Sequence, residues 1–101
     1  MRIALLAPLP PEQTGIADYA AHLRSALREQ GLEVLTPLEG CLDLAQQLQR
    51  LQAFDWRGVD LGHAELGGGR FAEFQALDYL RRTQPQLPLT ATVHDPERLI
   101  W

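Results

Sequence analysis

The chain has no lysine, a single cysteine and no apolar run long enough to span a bilayer. Each absence narrows what it can do. All nine basic residues are arginines, scattered except for Arg81 and Arg82, and the net charge is −4. A dispersed, net acidic surface is a poor partner for nucleic acid, because it releases few counterions, and for an anionic membrane. Cys41 alone can form neither an internal disulfide nor a cysteine-rich metal centre, which fits a reducing compartment. The N-terminal apolar run, residues 3–7, is shorter than a signal-peptide core, and Pro8, Pro10 and Pro11 follow at once. Nothing approaches the ~20 apolar residues of a spanning helix. The expectation is a cytoplasmic chain without a transmembrane segment. A G-x-G-x-x-G fingerprint is missing from the first loop, and Thr36-Pro37 stands where an acidic residue would close the second strand. Both disfavour a small dinucleotide-dependent enzyme.

What is present is a globular composition: 101 residues, 46% hydrophobic and 22% charged. That suits one small domain with a modest core. Strand-like and helix-like patterns alternate along it. Residues 2–7 form a continuous apolar run after a polar start, as a strand buried on both faces requires. A proline-rich loop follows. A helix is then expected over about 16–30, with Ile16, Tyr19, Ala20, Leu23 and Leu27 on one face and Gly31 as its stop. Arg24 and Arg28 fall on its outer, solvated face. A short strand over 32–36 precedes a helix over about 43–53, with Leu44, Leu48 and Leu51 inward and glutamines facing water. A third strand is expected within 59–66, centred on 59–63. A third helix over about 71–83 places Phe71, Phe74, Leu77 and Leu80 inward, and residues 89–94 make a fourth strand.

The order βαβαβαβ implies a parallel sheet, because parallel neighbours need crossover connections. Right-handed crossovers put helices on both faces, giving a Rossmann-like three-layer α/β sheet with strand order 3-2-1-4. Strand 4 is then an edge, and residues 89–94 lack the lysines and prolines that usually blunt one. Ile100 and Trp101 add apolar surface next to it. The expectation is an incomplete domain that pairs as a homodimer through this edge or an exposed apolar face.

Ligands of open α/β sheets sit at the carboxyl ends of the strands, at the switch in strand order. In order 3-2-1-4 that switch lies between strands 1 and 4. The loop holding Thr14 and Gly15 meets His94 and Asp95 there. Gly15 opens a helix whose free N–H groups could face a phosphate or sugar hydroxyl; equally, Thr14 or Gly15 is an ordinary cap. His94 could hydrogen-bond a sugar hydroxyl, or be satisfied by a carboxylate nearby. Asp95 before Pro96 reads as a turn former. Residues 63–69, HAELGGG, place three glycines after a strand, either an anion nest or a flexible turn. His63 and Glu65 lack further ligands at metal spacing, so no metal is expected. Cys41 reads as a small buried side chain.

Residues 7–19, APLPPEQTGIADY, resemble the opening of family 4 glycosyltransferases, whose common form is P-x-x-S-G-I-A-D-Y. Residues 63–68, HAELGG, and 92–96, TVHDP, are similar to segments of the same group, in the same order. The resemblance covers nearly the whole chain. It implies a GT-B fold, in which two Rossmann-like domains enclose a cleft. The N-terminal domain mostly binds the acceptor and the C-terminal one the nucleotide-sugar. Transfer proceeds with retention and usually without a metal or other cofactor. By this resemblance Thr14 and Gly15 lie near the donor phosphates, and His94 lies by the transferred sugar and is the catalytic candidate. Asp18, Tyr19, Glu65, Gly67 and Asp95 belong to the same donor- or acceptor-binding set.

The chain is far shorter than a two-domain enzyme, so it reads as a partial N-terminal domain, inactive alone. The family's E-x7-E motif belongs to the other domain, and the matching spacing of Glu65 and Glu73 is coincidental. The competing reading is a standalone Rossmann-like binding or dimerisation module without catalytic activity.

Overall fold

The computed structural model describes residues 1–10, 12–41, 43–67 and 70–94. Seven elements follow in strict alternation: β1 (Arg2–Leu6), α1 (Gly15–Glu29), β2 (Glu33–Leu35), α2 (Leu44–Ala53), β3 (Leu61–Gly67), α3 (Ala72–Thr83) and β4 (Leu89–His94). All pairings are parallel, and the sheet order is β2-β1-β3-β4. The alternation, the parallel sheet and the three-layer α/β arrangement agree with the sequence reading, and the architecture is compatible with a Rossmann-like sheet.

The strand order 3-2-1-4 is corrected to 2-1-3-4. β3 lies inside the sheet beside β1, and β2 is an edge. The reason lies in the strands themselves. β3 is seven residues long, and Ala64, Glu65, Leu66 and Gly67 are buried in succession. Its small residues Gly62, Ala64 and Gly67 let helices approach from both sides. β2 has only three residues and begins with exposed Glu33, so it can cover one flank of the sheet but cannot fill its centre. The expected strand at 59–63 was centred too early, and β3 extends to Gly67. The observed order is also what remains of 3-2-1-4-5 when strand 3 is left out. The switch point moves accordingly, from between β1 and β4 to between β1 and β3.

The helix boundaries follow from local chemistry. Thr14 caps α1, its Oγ1 accepting from the Ala17 N–H at 3.0 Å. At the other end Gly31 takes φ +85°. Its N–H donates to the Arg28 carbonyl, and the Leu32 N–H donates to the Leu27 carbonyl. That reciprocal pattern is a Schellman stop, which needs the left-handed conformation glycine adopts freely. Asp43 caps α2 by accepting from the Gln46 N–H at 2.8 Å.

α2 and α3 cover one face of the sheet, where Leu6, Leu38, Leu51, Ala64, Leu66, Ala76 and Leu80 form a continuous core. α1 covers the other, packing Ala20 over Leu5, Ala7, Leu9 and Val34. Leu5, Leu6, Leu51 and Leu80 are all fully buried, each worth about 1.5–3 kcal/mol of hydrophobic stabilisation.

Several side chains depart from the expected pattern. Leu44 and Phe71 are exposed rather than inward. Gln47 is buried and donates to the Ala72 carbonyl and to Gln75, tying α2 to α3. Arg24 bonds Glu39 at 3.1 Å, and Arg28 donates to the Val34 carbonyl at 2.9 Å, so neither is merely solvated. Cys41 is half-buried. No helix among the described residues is long and apolar enough to cross a membrane. Among those residues β4 pairs only with β3 and is an edge, as expected, although its neighbour is β3 and not β1.

Candidate functional site

β3 and β4 run in register, with His63 beside Thr90, Glu65 beside Thr92 and Gly67 beside His94. Side chains two residues apart share a face of a strand. One face of this strand pair therefore carries His63, Glu65, Thr90, Thr92 and His94. It is the face covered by α1, because an added Cβ on Gly67 would collide with Ile16, and because Tyr19 meets His94.

Glu65 is the centre of the cluster. Its side chain is fully buried, whereas those of His63 and His94 are 20% and 23% exposed. A buried carboxylate is stable only with donors in place. His94 Nε2 lies 2.7 Å from Glu65 Oε2, and His63 Nε2 lies 3.0 Å from Oε1. His63 Nδ1 is 2.7 Å from Thr90 Oγ1, and its Nε2 is also 3.2 Å from Thr92 Oγ1. A carboxylate accepts only, so the network assigns Nε2–H to both histidines in their neutral form. His63 Nδ1 then accepts the Thr90 hydroxyl proton. His94 is left with an unprotonated Nδ1, which has no hydrogen-bond partner among the described residues. Tyr19 packs edge-on to the His94 ring, with centroids 5.1 Å apart and planes at 76°. The result is an imidazole held by Glu65 and Tyr19, with one acceptor nitrogen to offer.

At the start of α1, Thr14 takes the Ala17 N–H, and its carbonyl accepts from Asp18 N–H. The Gly15 and Ile16 N–H groups have no intrahelical acceptor. An added Cβ on Gly15 would meet nothing within 4 Å, so internal packing does not explain this glycine. Gly67 is different, since contact with Ile16 already accounts for its missing side chain. Asp18 is exposed in the first turn. Asp95, Gly68 and Gly69 lie outside the described residues.

Of the residues singled out from sequence, the structure brings Tyr19, Glu65 and His94 into direct contact, and His63 joins them. Gly67 lies beside His94 in register and touches the helix that Thr14 and Gly15 open. Thr90 and Thr92 were missed. Their signal was a polar T-x-T-x-H pattern at period two opposite H-x-E, legible only once strands 3 and 4 are paired.

A second polar group was also missed, on the opposite side of the sheet. Glu73 is 2% exposed and accepts from Arg70 Nε at 3.0 Å, while Glu12 binds the remaining fork of the same guanidinium. Burial pushes the Glu73 carboxyl above the ordinary glutamate range, against the pull of Arg70. Among the described residues no group of three or more His, Cys, Asp or Glu side chains is arranged to hold a metal ion. No family model, curated protein or solved structure matches this chain.

Proposed function

We propose that this chain is the acceptor-side, Rossmann-like domain of a retaining GT-B glycosyltransferase of the family 4 type. On this reading a second domain holds the nucleotide-sugar, and transfer requires both. His94 Nδ1 accepts a hydrogen bond from a sugar hydroxyl at the mouth of β4. Glu65 holds the ring in that orientation, and the free N–H groups of Gly15 and Ile16 lie toward the donor phosphates. The observation that carries the reading is convergence. Three segments chosen for their resemblance, around Tyr19, Glu65 and His94, are far apart in sequence, yet His94 meets both Tyr19 and Glu65 at a single site. Preorganised acceptors of this kind bind hydroxyls without reorganising.

Half a cleft binds weakly. A ¹H–¹⁵N titration of the chain with a nucleotide-sugar and with simple hexosides tests the reading. The expected result is millimolar binding, with shifts confined to residues 14–19, 65–67 and 92–94, and no turnover. Tight, stoichiometric nucleotide binding, or shifts that avoid His94, would contradict it.

The alternative is a dimerisation module, favoured by the edge of β4, which is unpaired among the described residues, and by Val93 of that strand, which is 44% exposed. Sedimentation at low micromolar concentration separates the two. A stable dimer broken by Val93→Lys, with no response to any saccharide, would support the module.

A further inference from the structure

A second opening lies away from His94. A cavity of about 640 Å³ lies at the carboxyl edge of the sheet, on the side of α2 and α3. Its floor is Ala7, Pro8 and Leu9, just after β1. Its walls come from the segments after β2 and β3. This is the β1/β3 switch point, where open α/β sheets bind ligands, and the volume is that of a small-molecule site. It shares no lining residue with the His63–Glu65–His94 cluster.

Such a crevice usually receives a phosphate at a helix N-terminus. Here the chain's own carboxylates fill those positions. Asp43 caps α2, and Glu73 sits in the first turn of α3. Among the described residues Arg70 is the one cation in the lining, and it is already engaged by Glu73 and Glu12. The described lining therefore carries three carboxylates, Glu12, Asp43 and Glu73, and one committed guanidinium. Leaving the buried Glu73 aside, Glu12 and Asp43 still outnumber that one cation. The apolar part of the lining is unusual as well. Leu44 and Phe71 are 46% and 64% exposed, and both border this cavity. An exposed aromatic face beside surplus negative charge is the setting in which an organic cation is held.

We propose that this cleft binds a small organic amine in its protonated form, with the ammonium against Glu12 and Asp43 and the apolar body against Phe71 and Leu44. The site does not depend on the glycosyl-transfer reading, because it uses none of the same residues. Phosphorylated ligands are excluded from it by the same charges that favour the amine.

Three probes with one ring and different charge test this: cyclohexylammonium, cyclohexanol and cyclohexyl phosphate. Cys41 is the only cysteine and borders the cavity, so its alkylation rate reports occupancy. The expected result is that the ammonium slows Cys41 alkylation and shifts the amides of residues 41–47 and 70–73. Cyclohexanol should act more weakly, and the phosphate not at all. Asp43→Asn keeps the helix cap and removes a charge, and Glu12→Gln removes another. Each should weaken ammonium binding about five-fold. Added salt should weaken it in the unaltered chain, a readout that needs no variant. Phosphate binding equal to or tighter than ammonium, indifference of the ammonium to salt and to both variants, or no protection of Cys41 by any probe would overturn the proposal.

Discussion

The α1 side of the sheet changes character half-way across. Over β1 and β2 it is apolar and closed, with Leu5, Ala7 and Val34 packed under Ala20. Over β3 and β4 it is polar, and five side chains there spend their hydrogen bonds on one another around a buried carboxylate. The first half is what folding alone would choose. The second is costlier, since a fully buried glutamate contributes less to stability than a leucine of similar volume would. A local departure from the cheapest solution, next to a strand end, is where function is expected. α1 meets that half through Ile16, over Gly67, and Tyr19, against the His94 ring.

The sharpest way to break the comparison is to cut each half at its most buried side chain. Leu5→Ala, in the core under α1, should cost about 2–5 kcal/mol in urea unfolding. Glu65→Ala should cost less, about 1–3 kcal/mol, because it strands the Nε2–H donors of His63 and His94 without opening the main core. If Glu65→Ala proves the more damaging, the polar half is the structural keystone and its functional reading weakens.

The Arg70–Glu73 pair supplies a third contrast, read through pH. Glu73 is raised by burial, so its contribution to stability is complete below its unfolded pKa and is lost as pH rises through the higher folded value. The difference in stability between the unaltered chain and Glu73→Gln should therefore fall with rising pH across that window. Glu39 has the opposite sign. The Thr36 hydroxyl, with Arg24, lowers its carboxyl, so its contribution is lost on acidification. It cancels in the difference. The smallest effect belongs to the exposed i,i+4 pair of Arg82 and Asp78. Arg82→Ala should change stability by no more than about 0.5 kcal/mol.

Much of this molecule could be read from its residues. The alternation of elements, the Thr14 start and Gly31 stop of α1, and the exact span of β4 rest on local chemistry that tertiary packing did not override. Strand order was not legible, because periodicity shows that a strand is buried but not which neighbours bury it. The run from Ala64 to Gly67 was split by its glutamate, which made β3 look shorter and more peripheral than it is. That error hid the site's main feature. With strands 3 and 4 assumed apart, His63, Glu65 and His94 were separate candidates and not one network. Leu44 and Phe71 were misplaced for a different reason. Helical spacing put them inward, but each sits at a helix start, beyond the reach of the core and beside the cleft.

Glu65 fixes His94 so that Nδ1 is the nitrogen left to accept. Long-range ¹H–¹⁵N spectra of the imidazoles, recorded where the rings are neutral, measure this directly. The structure predicts that His94 carries its proton on Nε2, and that Glu65→Gln shifts this tautomer balance while the chain stays folded. A proton resident on Nδ1, or a balance that ignores Glu65→Gln, would contradict it.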